Sequence, residues 1–595
     1  MLCFFAFLPA VQVGAIAQSG QAQRANNYFK QGEFEKAALS YKKALKEKPD
    51  NPVFITGLIK SYQELEYYKD AELLLEKGQN SGRRAGFFAV ELGYNYQLQD
   101  QDSLAQIAYN RAITLVAENK SSAYQVGQAF EDHNLLEEAV QVYETALANS
   151  PSTNFDLRLA KIYGEQGEIE KMFSSYLDLV NRSPNYIALA QRNFGQYVTE
   201  DPFNEANGIF RKLLLKRLQQ EQNVLYNSLL SWLFIQQKEY QKAFTQEKAI
   251  FKRTDGNIDG LIDLANITIE DNELDTAREI LTHIKEISFD DSIKIEAEQQ
   301  LLDIDASLAS TAEDKAAIKT RYEALLNDQG TGAVTVPLQI DYAHFMGFEM
   351  GQITEAVSYL KDRIKEPRAR FDEARLKMEL ADILVLDEKF NQALIYYSQV
   401  QNKIKNNVIS QEARFKVAKT SYYKGDFKWA DTQLTVLKSS ATQLIANDAL
   451  ELLLTIRDNS QDDSLKTALK KYAKADLLRY QNKRQDAIQL YGEILEQHKG
   501  EDIEDEAFLA QAVLFEEDNA FAKARKNYLS IIDFYSDGIL ADEAHFRLAR
   551  LYENELDQPE KAKANYERII FDFADSIYFV EAQKRYRALR GDAIN

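Results

Sequence analysis

The chain has 595 residues, with 71 Lys and Arg against 92 Asp and Glu and a formal net charge of −21. Hydrophobic residues make up 45% and charged residues 27%, which fits a folded chain and excludes a disordered or collagen-like one. The acidity argues against a nucleic-acid binder, which needs clustered Lys and Arg, and against broad electrostatic docking on anionic lipid. Only 9 prolines and 24 glycines occur in this length, so few breakers interrupt a composition suited to helices.

The first element is apolar. Residues 2–17 carry no charge and end in Ala15-Ile16-Ala17 before a polar QSGQAQ. Small-x-small is the pattern a signal peptidase accepts, and about 16 residues broken by Pro9 is short for a membrane span. The expected reading is a secretory signal over 1–17, cleaved after Ala17. No Lys or Arg precedes the run, so an unprocessed apolar tail packed on the first repeat of the chain is the alternative. Cys3 follows Met1-Leu2 with no small residue before it, so lipid acylation is not expected there. As the sole cysteine it forms no intramolecular disulfide and no cysteine-based zinc site. No later segment has 18 consecutive apolar residues, so no integral span is expected in the mature chain.

After residue 20 the chain becomes periodic. Ala37, Ala71, Ala105, Ala139 and Met172 recur at intervals of 34, 34, 34 and 33 residues. Four residues after each stands Tyr41, Leu75, Tyr109, Tyr143 or Tyr176, and three further on Ala44, Gly78, Ala112, Ala146 or Leu179. Nine residues before each stands an aromatic: Tyr28, Tyr62, Tyr96, Phe130 or Tyr163. Spacings of 3 and 4 put these residues on one helical face. The small residue lets two helices approach, and the large ones fill the space between hairpins. Gly32, Asp100, Asn134 and Gly167, five before the small position, suit the turn between helices. Pro49, Pro151 and Pro184 end their units, because proline has no amide donor. One such unit cannot bury its own apolar face, so neighbours must stack.

The stretch GEFEKAALSYKKALKEKP (Gly32–Pro49) resembles the second-helix signature of the tetratricopeptide repeat family, and ELGYNYQLQDQDSLAQIAYNRAI (Glu91–Ile113) is similar, with Leu92, Gly93 and Tyr96 at first-helix positions. The resemblance implies an all-α fold, a right-handed superhelical solenoid of stacked antiparallel helix pairs. The register continues through Ala206, Phe210 and Leu213, then Ala243 after a short insertion near Leu214–Asn223, then Ala277, Leu281 and Ile284. Residues 292–330 read as a helix pair without clear markers, with a turn and helix cap at Ser310–Asp314. The Gly- and Thr-rich 328–337 reads as a linker between an amino-terminal array (18–327) and a second array (338–500). The markers resume at Ala356, Ala393, Ala430, Ala487, Ala524 and Ala562, with a weak stretch at 440–482, and Phe579–Leu589 reads as a terminal cap. Units in 501–595 contain aromatic-Ser/Ala-Asp turns (Ile531–Asn554, Ile569–Tyr586). These resemble the repeats of bacterial envelope proteins, which implies export to the periplasm or outer membrane; a cytoplasmic location stays open.

No phosphate loop, GxSxG elbow, kinase motif or HExxH occurs. The five histidines are dispersed. The acidic run Glu501–Glu506 lacks calcium-loop spacing and reads as a solvated helix start. No catalytic residue, cofactor or metal is therefore expected. The family resemblance implies a protein-binding groove lined by first helices. Its chaperone-tail carboxylate clamp would fall on Ala22, Asn26, Gly57, Phe87 and Glu91, of which only Asn26 matches, so that clamp is not expected. Groove positions carried over from the family are Asn26, Lys60, Phe87, Tyr94, Gln97, Tyr124 and Gln128. Exposed aromatics beside amides suit extended peptides; packing between neighbouring units is the other reading for Tyr94 and Tyr124. The expected function is a non-catalytic scaffold for other proteins in the envelope, or an intracellular adaptor if the apolar start is incidental.

Overall fold

The computed structural model describes residues 23–79, 82–149, 155–201, 203–405, 407–438, 443–460 and 466–591. The expected leader at 1–17, Cys3 and Ala22 lie outside the described residues. Among the described residues there is no strand, and no helix is long and apolar enough to cross a membrane. The chain divides into two compact units, Met1–Asn257 and Ile258–Asn595.

The hairpin that builds each unit follows from one backbone event. A first helix ends, one residue turns left-handed, and a second helix starts back. In the first unit the left-handed residues are Gly32, Glu66, Asp100, Asn134, Gly167 and Lys238. In the second they include Asn272, Gly351, Glu388, Gly425, Asn482, Asn519 and Asp557. All stand five residues before the small position of their repeat, which is alanine in every case but Met172. The next amide donates back to the helix: Glu33 N to Tyr28 O (2.9 Å), Tyr67 N to Tyr62 O (2.8 Å), Gln101 N to Tyr96 O (3.0 Å) and Leu135 N to Phe130 O (2.9 Å). The repeat aromatic therefore supplies the carbonyl that closes its own helix, in the manner of a Schellman cap. Most of these turns lack glycine's conformational freedom and carry Glu, Lys, Asp or Asn at residues such as Glu66, Lys238 and Glu388, a local strain that only the packed hairpin justifies.

The markers form the core. Ala37, Ala71 and Ala139 are fully buried, as are Leu75 and Tyr143, with Tyr41, Tyr109 and Tyr176 close to it. In the second unit Ala356 and Leu360, Ala393 and Tyr397, Ala430 and Leu434, Ala487 and Tyr491, Ala524 and Tyr528, and Ala562 and Tyr566 repeat the pattern. The expected fold class is the one observed, an all-α array of stacked helix pairs. Close approach is tightest where glycine faces a marker tyrosine. A Cβ on Gly93 would stand 2.3 Å from the Tyr109 ring, and one on Gly127 would stand 2.4 Å from Tyr143.

Three expectations bear comparison with the structure. First, the expected linker 328–337 holds a non-helical segment at 330–335, between helix Ala312–Gln329 and helix Val336–His344. Val336 and Thr335 are buried, and Arg368 donates to Thr331 O (3.0 Å) and Gln339 Oε1 (3.0 Å). The compact units part at 257/258. Second, the face of helix Glu205–Gln220 is Asn207, Phe210 and Leu214 rather than Ala206, Phe210 and Leu213. Asn207 is drawn in because its side chain satisfies the preceding loop, donating to Thr199 O and Asp201 O and accepting from Thr199 N. Third, the acidic run is a helix start but not a solvated one. Glu504 is 5% exposed and accepts from Gly500 N and the Tyr535 hydroxyl.

The markerless pair exists as helices Asp291–Leu308 and Ala312–Gln329. Its turn carries a reciprocal capping box, with Asp314 N donating to Thr311 Oγ1 (3.1 Å) and Thr311 N to Asp314 Oδ2 (3.2 Å). The weak stretch 440–482 holds an irregularity. Helix Gln443–Asp458 packs on second helix Phe427–Leu437, where the first helix of the next repeat should sit. The following helix, Thr467–Tyr480, reaches back past it: Tyr480 donates to Asp382 O, Gln481 to Leu386 O, and Lys474 pairs with Glu388.

Candidate protein-interaction surface

In a helix pair the small and large markers consume the apolar stripe of the second helix. What the first helices do not bury faces outward or into clefts, and those side chains are the ones available to a partner. Asn26 is exposed at the first of them. Lys60 and Phe87 are half-buried, and Phe87 packs edge-on against Phe88 (5.4 Å between centroids) with the Arg84 guanidinium over its ring.

Tyr94 is half-buried and stacks on His133 at 3.7 Å, with the rings 17° from parallel. His133 Nε2 lies 3.2 Å from the Glu91 carboxylate, and both side chains are under one tenth exposed. Desolvation raises the Tyr94 phenol above its ordinary range, helped by the charges of Glu64 and Glu91. Tyr94 thus has a packing role between consecutive repeats. Gln97 is exposed, yet its Oε1 accepts from the buried Tyr109 hydroxyl at 2.7 Å.

Tyr124 and Gln128 belong to a more polar place. Tyr124 is 56% exposed. Arg158 donates to its hydroxyl at 2.8 Å and to Glu131 at 2.9 Å. Glu131 in turn accepts from the Tyr143 hydroxyl at 2.5 Å. Gln128 donates to Asp132 (3.0 Å), and both line a cleft of about 310 Å³ with Glu131, Arg158, Lys161 and Glu165. The structure therefore brings Gln128 to a cleft whose Arg158 is bonded to the exposed Tyr124, and Tyr94 and Gln97 to packing roles.

The Tyr143–Glu131 pair is one case of a device that spacing of apolar residues does not reveal. A marker tyrosine on a second helix gives its proton to an acceptor on the first helix of the same repeat. Tyr397 donates to Asp382 (2.5 Å), Tyr491 to Asp476 (2.7 Å) and Tyr566 to Glu553 (2.8 Å). Burial raises each of these phenols, and the adjacent carboxylate adds to the effect. The pairs explain why the large position is so often Tyr: a buried hydroxyl needs a partner. They also line successive first helices with carboxylates.

The second unit concentrates that charge. On its first helices Asp303, Asp341, His344, Glu379 and Asp382 interact electrostatically along consecutive repeats. Desolvation, then the Asp303 charge, lifts the Asp341 carboxyl to about 7. His344 Nδ1 is 3.0 Å from Glu379; burial lowers the imidazole, but the Glu379 pairing together with the Asp382 and Asp341 charges raises it above its ordinary value. Further along, helices Val408–Tyr423, Gln443–Asp458, Thr467–Tyr480, Glu504–Glu517 and Ala541–Asn554 all contribute to a recess of about 690 Å³. Among the described residues no group of three or more His, Cys, Asp or Glu side chains is arranged to hold a metal ion.

Residues 19–51, 472–539 and 543–576 match family profiles described as tetratricopeptide repeat. The chain is similar to the TPR repeat-containing protein MJ1428 of Methanocaldococcus jannaschii, at 25% identity over 164 residues. That match covers 27% of this chain and 29% of the relative. Among solved structures, the Naa15/Naa10 complex bound to HypK-THB aligns over 97% of both chains at 13% identity, with a TM-score of 0.29. The APC/C Cut9–Hcn1 hetero-tetramer aligns over 96% of both chains at 13% identity, with a TM-score of 0.23.

Proposed function

Because this chain is a tetratricopeptide repeat protein, we propose that it is a non-catalytic scaffold of the cell envelope that holds segments of other proteins against its first-helix faces. Its repeats make it a protein-interaction scaffold; the location and the absence of catalysis are the proposed parts. The observation that carries the binding role is the register itself. Each second helix spends its apolar stripe on stacking, and first helices keep aromatic and polar side chains outward, such as the exposed Tyr124 beside Arg158 and Gln128 in the cleft. Such mixed surfaces suit extended segments.

Export is supported by the uncharged apolar run at 2–17 ending in Ala15-Ile16-Ala17. The aromatic-Asp turns of the last repeats support it independently. Cell fractionation with amino-terminal sequencing tests the location. A mature chain starting at Gln18 in the envelope fraction is the expected result. Retention of Met1 in the cytosol would overturn export and leave an intracellular adaptor.

A further inference from the structure

The recess in the second unit is more than a gap between repeats. Helix Gln443–Asp458 forms one wall and presents Asp448 and Glu451 to it; first helices of four repeats form the rest. The aromatic lining is Phe415, Tyr423, Tyr472 and Tyr480.

The charges in the recess are unevenly matched. Arg547 is paired with Glu543 (2.7 Å) and Arg479 with Glu517 (3.3 Å). Asp476 accepts hydrogen bonds from Tyr422 (3.0 Å) and Tyr491 (2.7 Å) but forms no ion pair among the described residues. Among the described residues the carboxylates of Asp448 and Glu451 have no hydrogen-bond or ion-pair partner, and neither do the hydroxyls of Tyr423 and Tyr472. Lys419 is the one unpaired cation among the described residues of the lining, and it lies over the Phe415 ring. Three carboxylates thus face one ammonium. The surroundings register the imbalance: desolvation, then the charges of Glu543 and Asp448, raises the Glu451 carboxyl above its ordinary range. Desolvation holds both phenols far above theirs.

A recess with surplus carboxylate at the exposed Asp448 and Glu451, half-buried aromatic faces and unpartnered hydroxyls is complementary to an organic cation. The volume of about 690 Å³ takes a long side chain with some backbone. Arginine suits it better than lysine, since a planar guanidinium stacks on tyrosine while its edge donates to carboxylates and hydroxyls, and it sheds water more readily.

We propose that this recess, walled by Asp448, Glu451, Tyr423 and Tyr472, binds an arginine side chain of a partner peptide. The proposal rests on the scaffold reading and adds to it the class of segment recognised. A bead library of random-sequence peptides probed with the full chain, and with a D448N/E451Q double variant of it, tests both. Binding to arginine-containing beads should weaken at least tenfold in the double variant and on replacing the arginine by citrulline, with a smaller loss for lysine. Peptides retained without arginine enrichment, or equally by the double variant, would overturn the recess and leave the scaffold standing. If no peptide is retained by either protein, the scaffold reading falls with it. An unchanged circular dichroism spectrum and melting curve for the double variant separates loss of the site from loss of the fold, and Tyr472→Phe, which removes only the hydroxyl, gives a second reading of two- to fivefold.

Discussion

Residues 28–180 of the first unit and residues 408–554 of the second are made from the same hairpin, yet they present different surfaces. In the first, spacing between markers stays at 33 or 34 residues, each first helix is followed by its neighbour, and the outward face is shallow, with a cleft of about 310 Å³. In the second, Gln443–Asp458 takes the place of a first helix beside Phe427–Leu437, and Thr467–Tyr480 docks against residues 382–388 instead. One extra helix turns a uniform face into a recess of about 690 Å³. Regular stacking makes a surface, whereas an interruption that still buries its apolar residues makes a site.

The largest test of that contrast is the contact that carries the interruption. Tyr480 packs edge-on against Phe348 (5.5 Å) and donates to Asp382 O at 3.1 Å. Tyr480→Ala removes the ring and leaves that carbonyl without its donor, at a cost of about 2–4 kcal/mol. Hydrogen exchange should accelerate in helices Arg370–Leu386 and Thr467–Tyr480 and stay unchanged in residues 28–180. Uniform acceleration would mean that the reach-back contact is not a local fastening.

Next in size is a paired change within the first unit. Gly127→Ala pushes a methyl to 2.4 Å from the Tyr143 ring and should cost about 1–3 kcal/mol by overpacking. Gly208 is also helical but has nothing within 4 Å of a new Cβ, so Gly208→Ala should stabilise by about 0.5–1 kcal/mol. Denaturation midpoints of the two variants should move in opposite directions. Movement of both in the same direction would break the stacking register.

The second unit should also carry a pH dependence. Glu506, beside the recess, has its carboxyl lifted to about 9 by desolvation and then by Asp505, while Asn459 donates to it at 2.9 Å. The folded chain therefore holds this proton more tightly than the unfolded chain. The contribution is favourable at low pH and is lost as pH rises from the usual carboxylate range towards about 9. Glu506→Gln keeps the shape without the ionisation, so it should raise the melting temperature at pH 8 by more than at pH 5. An equal shift at both pH values would remove the buried acid from the account.

Much of the fold was legible because its signals repeat. Ala71, Leu75 and Tyr62 announce one hairpin only weakly, but the same triple at fixed spacing over consecutive units fixes register and packing together. Asn207 escaped this logic, since its burial answers to backbone groups at Thr199 and Asp201 that no periodicity marks. Helix Gln443–Asp458 escaped it because its stripe Ala449, Leu453 and Ile456 keeps the spacings of 4 and 3 but follows Ala430 after 19 residues instead of about 34, so it falls out of the register that marks a second helix. The candidate surface was less legible still. Family positions point to Tyr94 and Tyr124 alike, but whether an aromatic stacks on a buried His133 or stands 56% exposed depends on the neighbouring repeat.

The smallest effect addresses what both regions share, the left-handed turn. Glu66 is exposed at φ 60°, and the equivalent residues Gly32 and Gly167 have φ 75° and 74°. For a residue with a Cβ this backbone costs about 1 kcal/mol, offset in part by the greater entropy that glycine loses on folding. Glu66→Gly should therefore stabilise the hairpin of Pro52–Glu64 and Tyr68–Gln79 by about 0.5–1 kcal/mol, read as slower exchange of the Tyr67 amide that donates to Tyr62 O. The same change at Gln63, buried inside the helix before the turn, should destabilise by about the same amount or more. If Glu66→Gly also destabilises, glutamate is not strained there, and the turn owes its shape to the helices it joins rather than to the residue that makes it.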